Sequence, residues 1–160
     1  MNELQHHKEA TRHMKRAHPG LIFRTDYGAG LKLTVGQAKT QKALQESDSF
    51  PDITVFEPVG KYHGFFAEMK VPEQQLLRSK DLTKMLKNDV KIRKAGDWWD
   101  RHIEKQAEMM IRLQAKGYAC TFTLGHADFK KKLAEYLAGK EFPVLYVFSE
   151  QAPDDDDSPF

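Results

Sequence analysis

Residues 50–70 read FPDITVFEPVGKYHGFFAEMK, and the fold turns on this stretch. Two apolar, β-prone runs, Ile53 to Phe56 and Phe65 to Lys70, stand about ten residues apart. The segment between them carries Pro58 and Gly60, so the pair predicts a β-hairpin. Alternate side chains of a strand share a face, so Glu68 and Lys70 point one way and Met69 the other. With Asp52 just before the first strand, three charged groups are expected at the ends of two neighbouring strands. Asp52 and Glu68 offer the hard carboxylate oxygens that Mg²⁺ prefers. Lys70 can lie beside such an ion and orient or deprotonate an attacking water. Hydrolysis of a phosphodiester needs both a cation against the developing charge and a positioned water, and the combination suits that reaction. Pro-Asp followed by Glu-x-Lys is nevertheless a common pattern by itself. The plain alternative is a polar strand end carrying a solvated ion pair.

Outward from the hairpin, the chain alternates helices and strands. Residues 3–18 predict a helix with Glu3, His7, Ala10, Met14 and Ala17 along one face, ended by His18-Pro19-Gly20. Leu21 to Arg24 is a short strand candidate, followed by a glycine-rich bend at Tyr27-Gly28-Ala29-Gly30. Residues 34–46 predict a helix with Thr34 as its N-cap. Residues 74–96 read as a basic, helix-leaning segment that Gly96 interrupts. An amphipathic helix over 100–116 stops at Gly117 in the manner of a C-terminal cap. Tyr118 to Leu124 predicts a strand and Ala127 to Ala138 a last helix. Val144 to Phe148 is an edge strand or a patch packed on the body. This order predicts an α/β domain with a small central sheet flanked by helices, over residues 1–150.

Two further residues bear on the chemistry. At 100° per residue, Ile103, Ala107, Met110, Leu113 and Gln114 share an arc of the 100–116 helix. Gln106 falls inside that arc, while Lys105, Glu108, Arg112 and Lys116 take the far side. A glutamine on a buried stripe needs partners there: it is either a satisfied core amide or a group aimed at the site. Glu3 shares a face with Ala10 and Met14, so its carboxylate can look inward, although an acidic residue in a first helical turn is expected from the helix dipole alone. The seven histidines show no metal-ligand spacing. Only His102, one turn before Gln106, is placed near the site, and His6 and His7 are read as surface residues.

Composition bounds what else the protein can be. With 160 residues it is long enough for one domain with a real core. No apolar run approaches the ~20 residues of a membrane-spanning helix, and residues 1–7 have no signal-peptide core. A lone Cys120 excludes a disulfide framework and a cysteine-rich zinc site, which makes a reducing cytoplasm the expected setting. The net charge is +2, yet its parts are unlike. Arg78, Lys80, Lys84, Lys87, Lys91, Arg93 and Lys94 face only Asp81 and Asp89 in the same span, and Trp98 and Trp99 follow. Such a cluster is either a solvated helix face or a surface for backbone phosphates, with a tryptophan free to stack on a base. Residues 151–160 carry four consecutive aspartates and no positive charge, and their composition predicts disorder.

Taken in order, Glu3-Leu4-Gln5, Phe50-Pro51-Asp52-Ile53, Gly64 to Lys70, His102-Ile103-Glu104-Lys105-Gln106 and Gly117 to Phe122 resemble the VRR-NUC branch of the PD-(D/E)xK nucleases, specifically its small stand-alone phage and bacterial members. The resemblance spans roughly residues 3–138, and the ordered set is far more specific than any one motif. It implies a restriction-endonuclease-like core and Mg²⁺- or Mn²⁺-dependent DNA cleavage in phage or bacterial recombination, repair or replication. By position, it implies that Asp52 and Glu68 are metal ligands and that the backbone carbonyl of Met69 completes the site. Lys70 would be the catalytic lysine, Gln106 the family's late glutamine, and Glu3 its less constant helix carboxylate. Two departures stand out: Phe50 occupies the position before Pro-Asp where the family commonly has glycine, and the basic insert, about residues 72–100, is longer than in minimal members. Small stand-alone relatives include dimeric, junction-cleaving enzymes, so a homodimer acting on Holliday junctions, flaps or other branched DNA is implied.

The last residues, Asp155-Asp156-Asp157-Ser158-Pro159-Phe160, are similar to the C-terminal tip of bacterial single-stranded DNA-binding proteins, with Ser158 where that tip has isoleucine. The similarity implies that Asp155, Asp156, Asp157, Pro159 and Phe160 engage a replication or repair protein that accepts that tip. The same tail could instead fold over a basic DNA channel. The rival to a nuclease is a non-catalytic DNA-binding adaptor or decoy that meets host replication proteins through this tail. The complete set of Asp52, Glu68, Lys70 and Gln106 argues against that rival.

Overall fold

The computed structural model describes residues 1–26, 34–44, 49–71, 91–93 and 98–148. Helix α1 (Glu3–Ala17) starts with a reciprocal cap: Asn2 Oδ1 accepts the Gln5 N–H at 2.9 Å, and Gln5 Oε1 accepts the Asn2 N–H at 2.8 Å. Its inward face carries His6, His7, Ala10 and Met14. Strand β1 (Phe23–Thr25) follows, then helix α2 (Val35–Ala43). Thr34 caps α2 as its sequence predicts, its Oγ1 accepting the Gln37 N–H at 3.3 Å and its N–H donating to Gln37 Oε1 at 3.0 Å. That helix ends before residue 46, with Leu44 already in a turn. The glycine-rich bend at 27–30 lies outside the described residues.

The hairpin forms where the sequence puts it. Strand β2 (Ile53–Val55) pairs antiparallel with β3 (Phe65–Lys70), Ile53 opposite Ala67 and Val55 opposite Phe65. Gly60 at φ +58° supplies the left-handed residue of the connection. β1 adds antiparallel to β2, and β5 (Ala119–Leu124) adds parallel to the other edge of β3. The order is therefore β1-β2-β3-β5, with β3 buried along its whole length. Helix α3 (Trp98–Ala115) precedes β5 and helix α4 (Gly125–Leu137) follows it.

Alternation along β3 sorts the core into two layers. Phe65, Ala67 and Met69 pack with Ala10 and Met14 of α1 and Phe129, Leu133 and Tyr136 of α4. Phe66 packs on the other side with Ile103, Ala107, Met110 and Leu113 of α3 and with Phe122. Glu68 and Lys70 share the parity of Phe66, which turns them toward α3. This is an α/β fold, a mixed four-stranded sheet between helices, of the restriction-endonuclease-like type.

The 74–96 segment corrects one expectation. Its only described residues form a strand, β4 (Lys91–Arg93), instead of helix, and β4 pairs parallel with β6 (Tyr146–Phe148) in a separate two-stranded sheet beside α3. The Val144–Phe148 run is thus a strand with a partner of its own. A three-residue β4 is too short for its pattern to declare itself, and its pairing partner lies more than fifty residues away. Among the described residues no helix is long and apolar enough to cross a membrane.

Candidate metal centre

The C-terminal end of β3, the start of β2 and the first turns of α1 meet at one end of the sheet. On the α3 side, Lys70 Nζ donates to Glu68 Oε1 at 2.6 Å and to Gln106 Oε1 at 2.7 Å. Gln106 Nε2 closes the triangle by donating to the same Glu68 Oε1. The amide of Gln106 is thereby oriented without ambiguity, since a lysine can only donate and a carboxylate oxygen here can only accept. All three side chains are buried, Glu68 to 2% exposure, Gln106 to 6% and Lys70 to 7%. A solvated strand-end ion pair is excluded by that burial. The helical arc that put Gln106 on the buried stripe is borne out, with Ile103, Ala107, Met110 and Leu113 around it.

Asp52 is held from the hairpin. Its Oδ2 accepts the Met69 N–H at 2.8 Å, tying the entry of β2 to the end of β3. Met69 itself points into the opposite core layer, as alternation requires. Burial pushes the Asp52 carboxyl up to about 8, and the charges of Glu68 and Glu3 push the same way, against Lys70 and the Met69 N–H. Glu3 is half-buried and is likewise raised, first by burial and then by Glu68, while Lys70 opposes the shift. Three carboxylates from three elements thus act on one another, with one ammonium among them.

His7 is the residue that sequence reasoning missed. His6 and His7 are not at the surface; both are buried, to 5% and 3% exposure. His7 Nε2 lies 3.9 Å from Asp52 Oδ2, and ligand atoms of Glu3, His7 and Asp52 all fall within 4.8 Å of one another. Burial, and then neighbouring His6, lowers the His7 pKa, which favours the neutral imidazole that a metal can use. His6 Nδ1 accepts the His126 N–H at 3.0 Å, fixing α1 to the start of α4. The available signal was Glu3 and His7 one helical turn apart, on a face that also carries Ala10 and Met14. The histidine beside the carboxylates is His7; His102, expected near the site, is a half-buried residue one turn from Gln106.

Of the expected DNA-contact residues, Arg78, Lys80, Lys84, Lys87 and Lys94 lie outside the described residues, and Lys91 and Arg93 fall on β4. The tail residues Asp155, Asp156, Asp157, Pro159 and Phe160 also lie outside them.

The donor set fits a divalent cation. Glu68 Oε2 is buried and has no hydrogen-bond partner among the described residues, whereas Oε1 already takes two donors. A buried carboxylate oxygen left so is costly unless a cation faces it. Asp52, Glu68 and Glu3 would hold such an ion through oxygen, with His7 adding a nitrogen.

No family model matches the sequence, and no curated protein matches it. Among solved structures, the chain is similar to one titled "VRR_NUC domain protein", at a TM-score of 0.52 and 14% identity. The match covers 91% of this chain and 95% of that one. The likeness is one of fold: this chain has a VRR-NUC-type fold along nearly its whole length.

Proposed function

We propose that this protein is a divalent-metal-dependent endonuclease that hydrolyses phosphodiester bonds in DNA. The single observation behind this reading is the buried Glu68–Lys70–Gln106 triangle beside Asp52, with Glu68 Oε2 left unpartnered among the described residues. A non-catalytic DNA-binding body has no need of a buried carboxylate and lysine, whose desolvation costs several kcal/mol per ion, beside a second, largely covered carboxylate. A bound Mg²⁺ or Mn²⁺ would polarise a phosphoryl oxygen and acidify a water. The protein's own residues do the rest. Lys70 Nζ spends two of its three donor positions on Glu68 and Gln106, and the third, without a partner among the described residues, would orient the attacking water. Gln106 keeps the ammonium at a fixed point. Asp52 and Glu68 set where the cation and the scissile phosphate stand, with the Met69 carbonyl and Glu3 completing the set.

The preferred substrate is branched or otherwise structured DNA, a Holliday junction or a flap, in phage or bacterial recombination or repair within a reducing cytoplasm. Residues 1–150 form the nuclease domain, with the basic insert at about 72–100 along the phosphate backbone. One site cuts one strand, so cleavage of paired strands calls for a homodimer. The acidic tail recruits a protein that accepts the single-stranded DNA-binding tip. The test is incubation with duplex, single-stranded, flap and four-way-junction DNA in Mg²⁺ or EDTA. Cleavage should need the metal and should vanish in Asp52→Ala and Lys70→Ala. Cleavage at wild-type rate in those variants would remove the site, and inactivity on every substrate would favour the adaptor.

A further inference from the structure

We propose that His7 makes the α1 side of this site a mixed nitrogen–oxygen cation position, in which Glu3, His7 and Asp52 hold one divalent ion and bias it toward Mn²⁺ or Co²⁺ over Mg²⁺. The inference deepens the metal-dependent reading and rests on it for the presence of a cation. Glu3 and His7 stand four residues apart on α1, one above the other, and α1 lays both against the start of β2. The 3.9 Å between His7 Nε2 and Asp52 Oδ2 is too long for a hydrogen bond. It lies within the span of two atoms that each bind one ion at about 2.1 Å, which reaches about 4.2 Å when they are opposed. His7 is buried to 3% exposure, and the buried Glu68 Oε2, without a partner among the described residues, belongs to the same electrostatic cluster as Asp52 and Glu3. A histidine buried among carboxylates is a poor complement to Mg²⁺, which takes oxygen and gives up water reluctantly. Imidazole nitrogen suits the transition ions, whose affinity for such sites rises from Mn²⁺ through Co²⁺.

The test uses the full chain and reads binding as well as cleavage. Isothermal titration of Mg²⁺, Mn²⁺ and Co²⁺ should show the transition ions bound at least about tenfold more tightly than Mg²⁺, and His7→Gln should remove most of that preference. Pulsed electron spin resonance of the Mn²⁺-loaded protein should show coupling to a histidine nitrogen. That coupling should change when histidine is labelled with the heavy nitrogen isotope and disappear in His7→Gln. Mn²⁺ bound without nitrogen coupling, coupling that survives His7→Gln, or equal affinity for the three ions would each overturn the proposal. Glu3 is half-buried, so Glu3→Gln serves if His7→Gln does not fold. It should weaken Mn²⁺ binding about tenfold, and unchanged binding would also overturn the proposal. A protein that cleaves DNA without nitrogen coupling keeps the nuclease reading and loses this one. Nitrogen-coupled Mn²⁺ on a protein inert toward every DNA does the reverse.

Discussion

Glu68 Oε1 accepts from both Lys70 and Gln106, so the triangle depends on each member. Lys70→Met would leave Glu68 buried beside Asp52 and Glu3 with no cation opposite, a loss of about 3–5 kcal/mol in EDTA by urea denaturation. Replacing both charges, as in Glu68→Leu with Lys70→Met, should recover most of that loss and still give no cleavage. At Asp52 the proton and the metal compete. Burial, and then the charge of Glu68, pushes its carboxyl from the ordinary 3.8 up to about 8 in the fold. The folded state therefore binds a proton more tightly than the unfolded state between those values. In EDTA the stability contributed by this group falls as pH rises from about 4 toward 8. Added Mg²⁺ or Mn²⁺ should raise the melting temperature more at pH 8.5 than at pH 6, by differential scanning fluorimetry. An equal rise at both would show that the ion binds elsewhere. The site was legible as far as residue type and spacing carry it: Asp52, Glu68, Lys70 and Gln106 come together. His7 was not, because only the packing of α1 onto the start of β2 turns an ordinary helical histidine toward Asp52.

Elements position these residues through their ends. Helix α3 delivers Gln106 because it is terminated firmly: Tyr118 N–H bonds Leu113 O at 3.2 Å and Gly117 N–H bonds Gln114 O at 3.0 Å. Gly117 sits between them at φ +90°, the left-handed cap that its place in the sequence predicts. A Cβ there would also stand 2.7 Å from His63 Cδ2. Gly117→Ala should cost about 1–2 kcal/mol in thermal denaturation, mostly from the backbone, since His63 is exposed and can move. Gly64 is the contrasting case. Its added Cβ would lie 2.8 Å from the backbone oxygen of Val55, which the hairpin cannot give up without opening. Gly64→Ala should therefore cost about 2 kcal/mol or more and should lower cleavage as well, by displacing Glu68 and Lys70 down the strand. Helix and hairpin identities were readable because their periodicities run over several residues. The β4–β6 pair was not, because two three-residue strands carry no period and their partnership is long-range.

At the scale of the molecule, the near-neutral +2 conceals a division of charge. Four of the 23 acidic residues are Asp154 to Asp157, which leaves 19 in the body against 25 basic residues, a balance of +6. Phosphate contacts release counterions, so Lys80→Glu, Lys84→Glu and Lys87→Glu together should weaken junction binding at least about tenfold at low salt and flatten its dependence on NaCl. Fluorescence anisotropy across a salt series reads both effects, and an unchanged slope would take this segment off the DNA. Removal of the last six residues should weaken binding to a protein that accepts the single-stranded DNA-binding tip, measured by pull-down with purified partner. Equal affinity with and without the tail would end the recruitment idea. By itself the sequence determined the hairpin, the faces of α1 and α3, the capped helix ends and five of the six polar side chains gathered at the site, all but His7. Each depends on neighbours within a few residues or on one period. Tertiary structure alone decided that β3 is covered on both faces, that Asp52 is partly covered beside Glu68 and Glu3 so that its carboxyl is raised, and that His7 joins the carboxylates. Those properties arise from desolvation and charge summed over elements that are distant in the chain, and no local pattern contains that sum.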